Sequence, residues 1–374
     1  MLYRLSELLP YVPWSVFKYV TFRSAGAAVT ALLLSWLLGP RVIAWLRDLR
    51  FRQEYRPKDV RSGEDPAAAA ADLAKRGTPT MGGILIVLVL DITVFLWARP
   101  NTMVLLTMLS LLVLAFLGFY DDWLKVTKQN AAGAKSNLKL VVQTALAFGI
   151  GVYLWMRPST RALVADIQVP FLKEPLLVGV PILGVFLAGL TIIGSSNAVN
   201  LTDGMDGLAI GCTLIVAVVM LILTYLADNV KLAAYLQIPH VRETSELTVV
   251  CAALIGACLG FLWFNCHPAE VFMGDTGSLA LGGALGIMAV LIHQPLVLVI
   301  AGGVFVAEAL SVMLQVSWFK YTKRKYGEGR RIFRMSPLHH HFQKLGWKES
   351  KIVTRFYIVG ILCAVVALST LKVR

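Results

Sequence analysis

The sequence predicts an all-α integral membrane protein of about ten transmembrane helices. Three observations carry this. Hydrophobic residues make up 57% of the chain and charged residues only 15%, the mean hydropathy is +0.70, and apolar runs of about 17–25 residues recur from end to end. Soluble domains are nearer one quarter charged, and a chain this poor in charge could not cover several globular cores with a solvated surface. Outer-membrane barrels are excluded, because the segments lack a two-residue alternation and are about twice the length of a barrel strand.

In chain order the spans fall at roughly 19–38, 80–98, 102–120, 138–156, 177–195, 207–226, 246–264, 277–293, 296–317 and 352–370. The first is long enough to cross. Pro10, Pro13, Lys18 and Arg23 break up any leader-like apolar core, so no cleaved signal peptide is expected. Between spans one and two, residues 63–71 are low in complexity and read as a solvated loop or short helix. His293–Pro295 leaves so short a gap that spans eight and nine should form a tight hairpin. No internal repeat is evident, and residues 1–374 read as a single domain.

The formal net charge is +13. In a soluble protein that would suggest nucleic acid; here its placement points to anionic lipid, and no nucleic-acid partner is expected. Loops 39–79, 120–139 and 317–351 hold 23 Lys and Arg, whereas the opposite side, with both termini, holds 11. The positive-inside rule therefore puts the basic loops in the cytoplasm and both termini in the periplasm. The five Cys are scattered without a CxxC pair, so neither a disulfide framework nor a zinc site is indicated.

Four polar clusters all fall at the predicted cytoplasmic side. Asp121 and Asp122 close span three. They oppose the helix dipole and repel each other, although a solvated helix end partnered by Lys125 and Lys128 would explain them too. In GSSNAVNLTDGMDGLA, residues 194–209, the polar residues Asn197, Asn200, Asp203 and Asp206 recur every third position, so one helical turn would put them on a shared face. Gly194, Gly204 and Gly207 allow tight turns there. Asp206 alone could be an N-cap for span six.

The third cluster, NCHPAEVFMGDTGS at 265–278, sets Asp275 at the start of span eight. It could be an N-cap, or a ligand for Mg²⁺, which takes one or two protein carboxylates together with substrate phosphates. The fourth runs from Arg330 through His339, His340 and His341 to Phe342. Three consecutive His point in different directions and make a poor zinc site, but with Arg they form an anion-binding surface. Lys75 stands at the cytoplasmic entrance to span two, and Glu308 lies inside span nine without an assigned role. Carboxylates for Mg²⁺, Asn and Asp for a polar ligand, and Lys, Arg and His for phosphate form the inventory of phosphoryl transfer. No Walker A sequence is present, and a site at a membrane face suits a lipid phosphate as one substrate.

At these residues the sequence resembles a known family. GTPTMGG (77–83), FYDDWLKV (119–126), NAVNLTDGMDGLA (197–209), FMGDTGS (272–278) and SPLHHHF (336–342) look like the motifs of the polyprenyl-phosphate N-acetylhexosamine-1-phosphate transferases. The likeness runs over essentially the whole chain. It implies an Mg²⁺-dependent phospho-sugar transferase of the bacterial inner membrane, active at the cytoplasmic face. The reaction implied is transfer of phospho-MurNAc-pentapeptide from UDP-MurNAc-pentapeptide to undecaprenyl phosphate, giving lipid I and UMP for peptidoglycan synthesis. By resemblance Asp275 binds the metal, Asp121 is the base toward the lipid phosphate with Asp122 beside it, and Asn197, Asn200, Asp203 and Asp206 line the nucleotide and sugar site. Asn265, Phe272 and Gly274 then lie near the uridine. His339, His340 and His341 contact the diphosphate or sugar with Lys75, Lys125 and Lys139, and Gln315 is a further candidate. The family is generally homodimeric.

Residue types do not separate direct attack by the lipid phosphate, the favoured route, from a two-step route through Asp203 or Asp275. Two rival readings are a related transferase using UDP-GlcNAc, against which the HHH-Phe run argues, and a transporter with Glu308 and Asp91 along its path.

Overall fold

In the computed structural model, which describes residues 1–4, 14–49, 77–127 and 133–372, the regular elements are helices, and one isolated antiparallel bridge joins Ile167 and Leu177. The helices are α1 (Val20–Asp48), α2 (Gly83–Trp97), α3 (Thr102–Thr127), α4 (Ser136–Met156), α5 (Ala162–Ala165), α6 (Pro181–Thr202) and α7 (Leu208–Asp228). They continue with α8 (Val230–Leu236), α9 (Ser245–Asn265), α10 (Gly274–Leu291), α11 (Pro295–Ala301), α12 (Gly303–Tyr326), α13 (Leu338–Gln343) and α14 (Glu349–Ser369). Among the described residues nine helices are long and apolar enough to cross a membrane, and α2, at 15 residues, is the short one. Every predicted span thus meets a helix. The ninth is divided: it breaks at Gly302 into α11 and α12, where the reading expected one uninterrupted helix. Pro295 opens α11 at a position where its missing N–H costs nothing.

Two helices form the core. The apolar stretches of α9 and α10 are 78% and 89% buried, against 28% for α1, α4, α12 and α14 at the periphery. Small residues allow this, because helices in lipid associate by close packing and not by expelling water. Gly256 and Gly260 of α9 lie directly against Ala28 and Ser35 of α1. Gly282 and Gly286 of α10 lie against Ser195 of α6, where an added Cβ would fall 2.4 Å and 2.2 Å from its atoms. Gly118 of α3 meets the Asp275 carbonyl in the same way, at 2.2 Å. The N-terminus of α10 is thereby wedged between the C-terminal ends of α3 and α6.

The far end is fastened by charge. The guanidinium of Arg23 in α1 donates to both carboxylate oxygens of Glu246 in α9, each at 2.6 Å, and to the Trp97 carbonyl at 3.2 Å. Arg23 is 1% exposed, and a buried charge persists only when paired in this way.

Candidate active site

Six of the sequence-predicted residues meet where α3, α4, α6 and α10 converge. Lys125 Nζ lies 2.6 Å from Asp121 Oδ2 and 3.1 Å from Asp275 Oδ2. Lys139 Nζ lies 2.9 Å from Asp121 Oδ1 and 2.8 Å from Asp275 Oδ2. Asn200 donates to Asp275 Oδ1 at 2.9 Å and to Ser278 Oγ at 2.8 Å. The Ala134 N–H closes the loop before α4 onto Asp121 Oδ1 at 2.7 Å. Two ammonium groups therefore bridge carboxylates from separate helices.

Asp122, whose Oδ1 is 3.8 Å from Lys125 Nζ, has a second task. Its carboxylate accepts the backbone N–H groups of Asp275 and Thr276, at 3.2 and 3.0 Å, and the Thr276 hydroxyl at 2.8 Å. It thus satisfies the orphan donors at the start of α10 from another helix. The N-cap reading of Asp275 is corrected: Met273 holds the N-cap position, and Asp275 sits inside the first turn facing the lysines. Adjacent aspartates remain together because each has its own compensating donors. Lys128 lies outside the described residues.

The shared face expected for residues 197, 200, 203 and 206 does not form, because α6 stops at Thr202. Asn197 turns to Gln143 Oε1 of α4 at 3.0 Å, and only Asn200 reaches Asp275. The backbone N–H of Gly274, at φ +73°, lies close to Asp203, and a Cβ added to Gly274 would fall 2.6 Å from Asp122 Oδ2. Asp203 is half-buried as a residue, but its carboxyl is enclosed. Burial first, then the negative charges of Asp275 and Asp122, push its pKa up to about 8.

Asp206 is not the cap of α7 either; Gly207, with φ +78°, holds that place. Asp206 Oδ2 instead meets His267 Nδ1 at 2.9 Å and accepts the Ala269 N–H at 3.2 Å, while its own N–H donates to Glu349 Oε1 at 2.8 Å. His267 and Glu349 had no assigned role in the sequence; His267 was visible inside the 265–278 motif, whereas nothing marked Glu349. Asn265 is buried and ties Gly207 N–H to the Val271 carbonyl. Phe272 exchanges backbone hydrogen bonds with Pro79 and Gly82 at 2.8 Å each, which locks the loop to the start of α2.

The histidine segment folds back along α12. Glu308, Gln315 and Thr322 recur every seven residues, so they share one face of that helix. Thr322 Oγ1 accepts the Arg330 N–H at 2.8 Å. Gln315 Oε1 accepts the N–H groups of Ile332 and Phe333 at 3.0 Å. Glu308 Oε1 accepts the His339 N–H at 3.1 Å, and its Oε2 lies 3.2 Å from His339 Nδ1. Gln315 thus holds the basic loop, and Glu308, which has no assigned role in the transfer from sequence alone, lies against His339. His339 is fully buried and lies against Gly204. His340 is half-buried beside Gln343, and His341 Nδ1 accepts the Arg334 N–H. Lys75 and residues 63–71 lie outside the described residues.

The carboxylates of Asp121, Asp122 and Asp275 present oxygens within 4.8 Å of one another. As hard oxygen donors they fit a divalent cation such as Mg²⁺, and two lysines beside them suit a phosphate-bearing ligand. A cavity of about 810 Å³ at the other end of α10, lined by Arg157, Asp166, Arg242 and His293 among others, contains none of these residues.

A family model for glycosyl transferase family 4 matches residues 102–293, and phospho-N-acetylmuramoyl-pentapeptide-transferase signature 1 matches residues 75–87. The chain is 48% identical over 377 residues to the phospho-N-acetylmuramoyl-pentapeptide-transferase of Opitutus terrae, covering all of both chains. It is 48% identical over 380 residues to the one from Citrifermentans bemidjiense and 44% identical over 380 residues to the one from Syntrophus aciditrophicus, again over the full length of both. The aspartates, lysines and histidines assembled above sit within a full-length likeness, and the chain belongs to the phospho-N-acetylmuramoyl-pentapeptide-transferase family of enzymes.

Proposed function

We propose that this chain transfers phospho-MurNAc-pentapeptide from UDP-MurNAc-pentapeptide to undecaprenyl phosphate, forming lipid I and releasing UMP. One observation supports this above the others: three aspartates and two lysines from facing helix ends meet beside Asn200 and Ser278. In the reaction an oxygen of the lipid phosphate attacks the sugar-bearing phosphorus of the diphosphate. That P–O bond forms as the bond to the bridging oxygen breaks, and UMP leaves with the electron pair.

Each residue has a task in that step. Asp121 takes the proton from the lipid phosphate, and Lys125 and Lys139 hold phosphate oxygens in line. Asp275, with Asp121 and Asp122 beside it, would hold Mg²⁺, which when bound neutralises charge developing on the diphosphate. Asn200 and Ser278 orient Asp275, and Asp122 fixes the helix end that carries it. Asp203, Asp206, Asn265, Phe272 and Gly274 line the nucleotide side, Asn197 supports α6 through Gln143, and Gln315 holds the loop that brings His339, His340 and His341 to the sugar and diphosphate. Lys75 joins the same anionic surface. Direct attack is the favoured route.

In this reading the chain crosses the bacterial inner membrane ten times as a homodimer, with both termini in the periplasm and the site in the cytoplasm. The supporting observations are the 23 Lys and Arg in the loops on the site's side and a helix at each of ten apolar runs.

The test is UMP release by purified protein in detergent with undecaprenyl phosphate, comparing UDP-MurNAc-pentapeptide with UDP-GlcNAc, with and without Mg²⁺. Mg²⁺-dependent release from the muramyl substrate alone is expected. Release from UDP-GlcNAc alone would move the protein to another pathway, and release from neither would remove the transferase reading.

A further inference from the structure

Glu308 is fully buried within α12, in a segment where an unpaired carboxylate is expensive. Its two oxygens divide between the backbone N–H of His339, at 3.1 Å, and the ring Nδ1 of the same residue, at 3.2 Å. The backbone contact is not needed to hold the loop, because Gln315 and Thr322 on the same face already tie residues 330, 332 and 333. What Glu308 adds is orientation of a ring. A carboxylate oxygen 3.2 Å from Nδ1 favours a ring N–H on that side and leaves Nε2 as the opposite edge.

That edge faces Gly204. A Cβ added there would fall 2.2 Å from His339 Nε2, so the ring fills the space a side chain would occupy. Nε2, like Nδ1 and the Oε2 that faces it, is buried and makes no hydrogen bond among the described residues, so the two side chains stand at ion-pair distance and the hydrogen bond between the residues is the backbone one. Gly204 follows Asp203, which lies close to the Gly274 N–H one residue before Asp275. The imidazole therefore connects α12 to the turn that borders the acidic cluster.

We propose that Glu308 is a positioning residue for His339, holding it as the Nδ1–H tautomer with Nε2 packed against the Gly204 turn, so that the ring sets the position of the turn that borders the acidic cluster. The assignment rests on the reading that the histidine segment serves the phospho-sugar transfer. It does not require Glu308 to touch substrate.

The experiment is a double-mutant cycle with a spectroscopic arm. Glu308→Gln preserves size and an acceptor for the His339 N–H but removes the carboxylate. It should lower kcat for UMP release by about tenfold to a hundredfold with little change in KM for the UDP-sugar. In a His339→Ala background the same substitution should cost nothing further, because its effect travels through the imidazole. Gly204→Ala, which leaves the buried charge intact and displaces the ring, should reproduce the loss and not add to Glu308→Gln. Nitrogen NMR of histidine-labelled protein, with His339 identified by its disappearance in His339→Ala, should show the Nδ1–H tautomer and its loss in Glu308→Gln. Equal losses from Glu308→Gln with and without His339, or an unchanged tautomer, would overturn the assignment. If the unsubstituted protein released no UMP the transfer reading would fall instead, and the NMR arm would still decide the pairing.

Discussion

The carboxylate of Asp122 accepts the backbone N–H of Asp275 at 3.2 Å. One aspartate of the adjacent pair thus caps the helix that presents the third aspartate to the lysines, while its neighbour Asp121 meets those lysines directly. The DD pair is two groups with two tasks, separated because consecutive residues of a helix point about 100° apart.

Asp275 is the residue through which this arrangement converges. Asp275→Asn keeps size and the Asn200 contact but removes the charge facing Lys125 and Lys139. Turnover should fall at least about a hundredfold, with the protein still eluting as a folded species in detergent. Near-normal UMP release in that variant would dismiss the residue from the proposed metal site.

Asp203 supplies a pH dependence. Its pKa is raised from 3.8 to about 8, so the folded protein binds a proton there that the unfolded chain has released. Its contribution therefore weakens stability progressively as pH rises from about 4 to about 8, and below that window it has no effect. At neutral pH the group is uncharged, and above about 8 it becomes an anion facing an anionic substrate. Thermal stability of the metal-free protein should fall as pH rises through that window, and Asp203→Asn should flatten the fall; an unaltered profile would show that another group titrates.

Gly118 tests the contact between α3 and α10. Gly118→Ala would place a methyl group 2.2 Å from the Asp275 carbonyl oxygen. Overpacking should cost about 1–3 kcal/mol and shift Asp275, so thermal inactivation and turnover should both worsen. Gly149→Ala, at a helical position with nothing within 4 Å, should be neutral or slightly stabilising. Equal behaviour of the two variants would contradict the close approach.

Arg23 separates stability from chemistry. Arg23→Met would leave Glu246 buried without its bidentate partner, at a cost of about 3–5 kcal/mol. The folded yield should drop while UMP release per folded molecule holds, since the pair fastens the opposite end of the bundle. A loss of specific activity matching the site variants would tie that end to the reaction.

The sequence by itself determined the all-helical membrane class, the position of each span and the motifs that carry the polar residues. These are local properties: an apolar run of sufficient length must be helical in lipid, because every backbone group has to find its partner within the segment. Resemblance over the whole chain added the family. The break of the ninth span at Gly302 escaped this reading, since an apolar run shows no hydropathy change where a helix restarts.

Only the tertiary structure decided which polar groups meet. Lys139 and Asp275 are 136 residues apart, and Asn197 has the same residue type as Asn200 yet reaches Gln143. Regular three-residue spacing suggested one face, but α6 ends at Thr202 and each group turns to a different neighbour. Glu308 and His339 show the same rule from the other side, as a buried carboxylate whose role became visible only with its partner. A desolvated polar group must be satisfied by whatever helix end or loop packing brings within about 3 Å, and that choice depends on how the helices pack, which spacing along the chain does not encode.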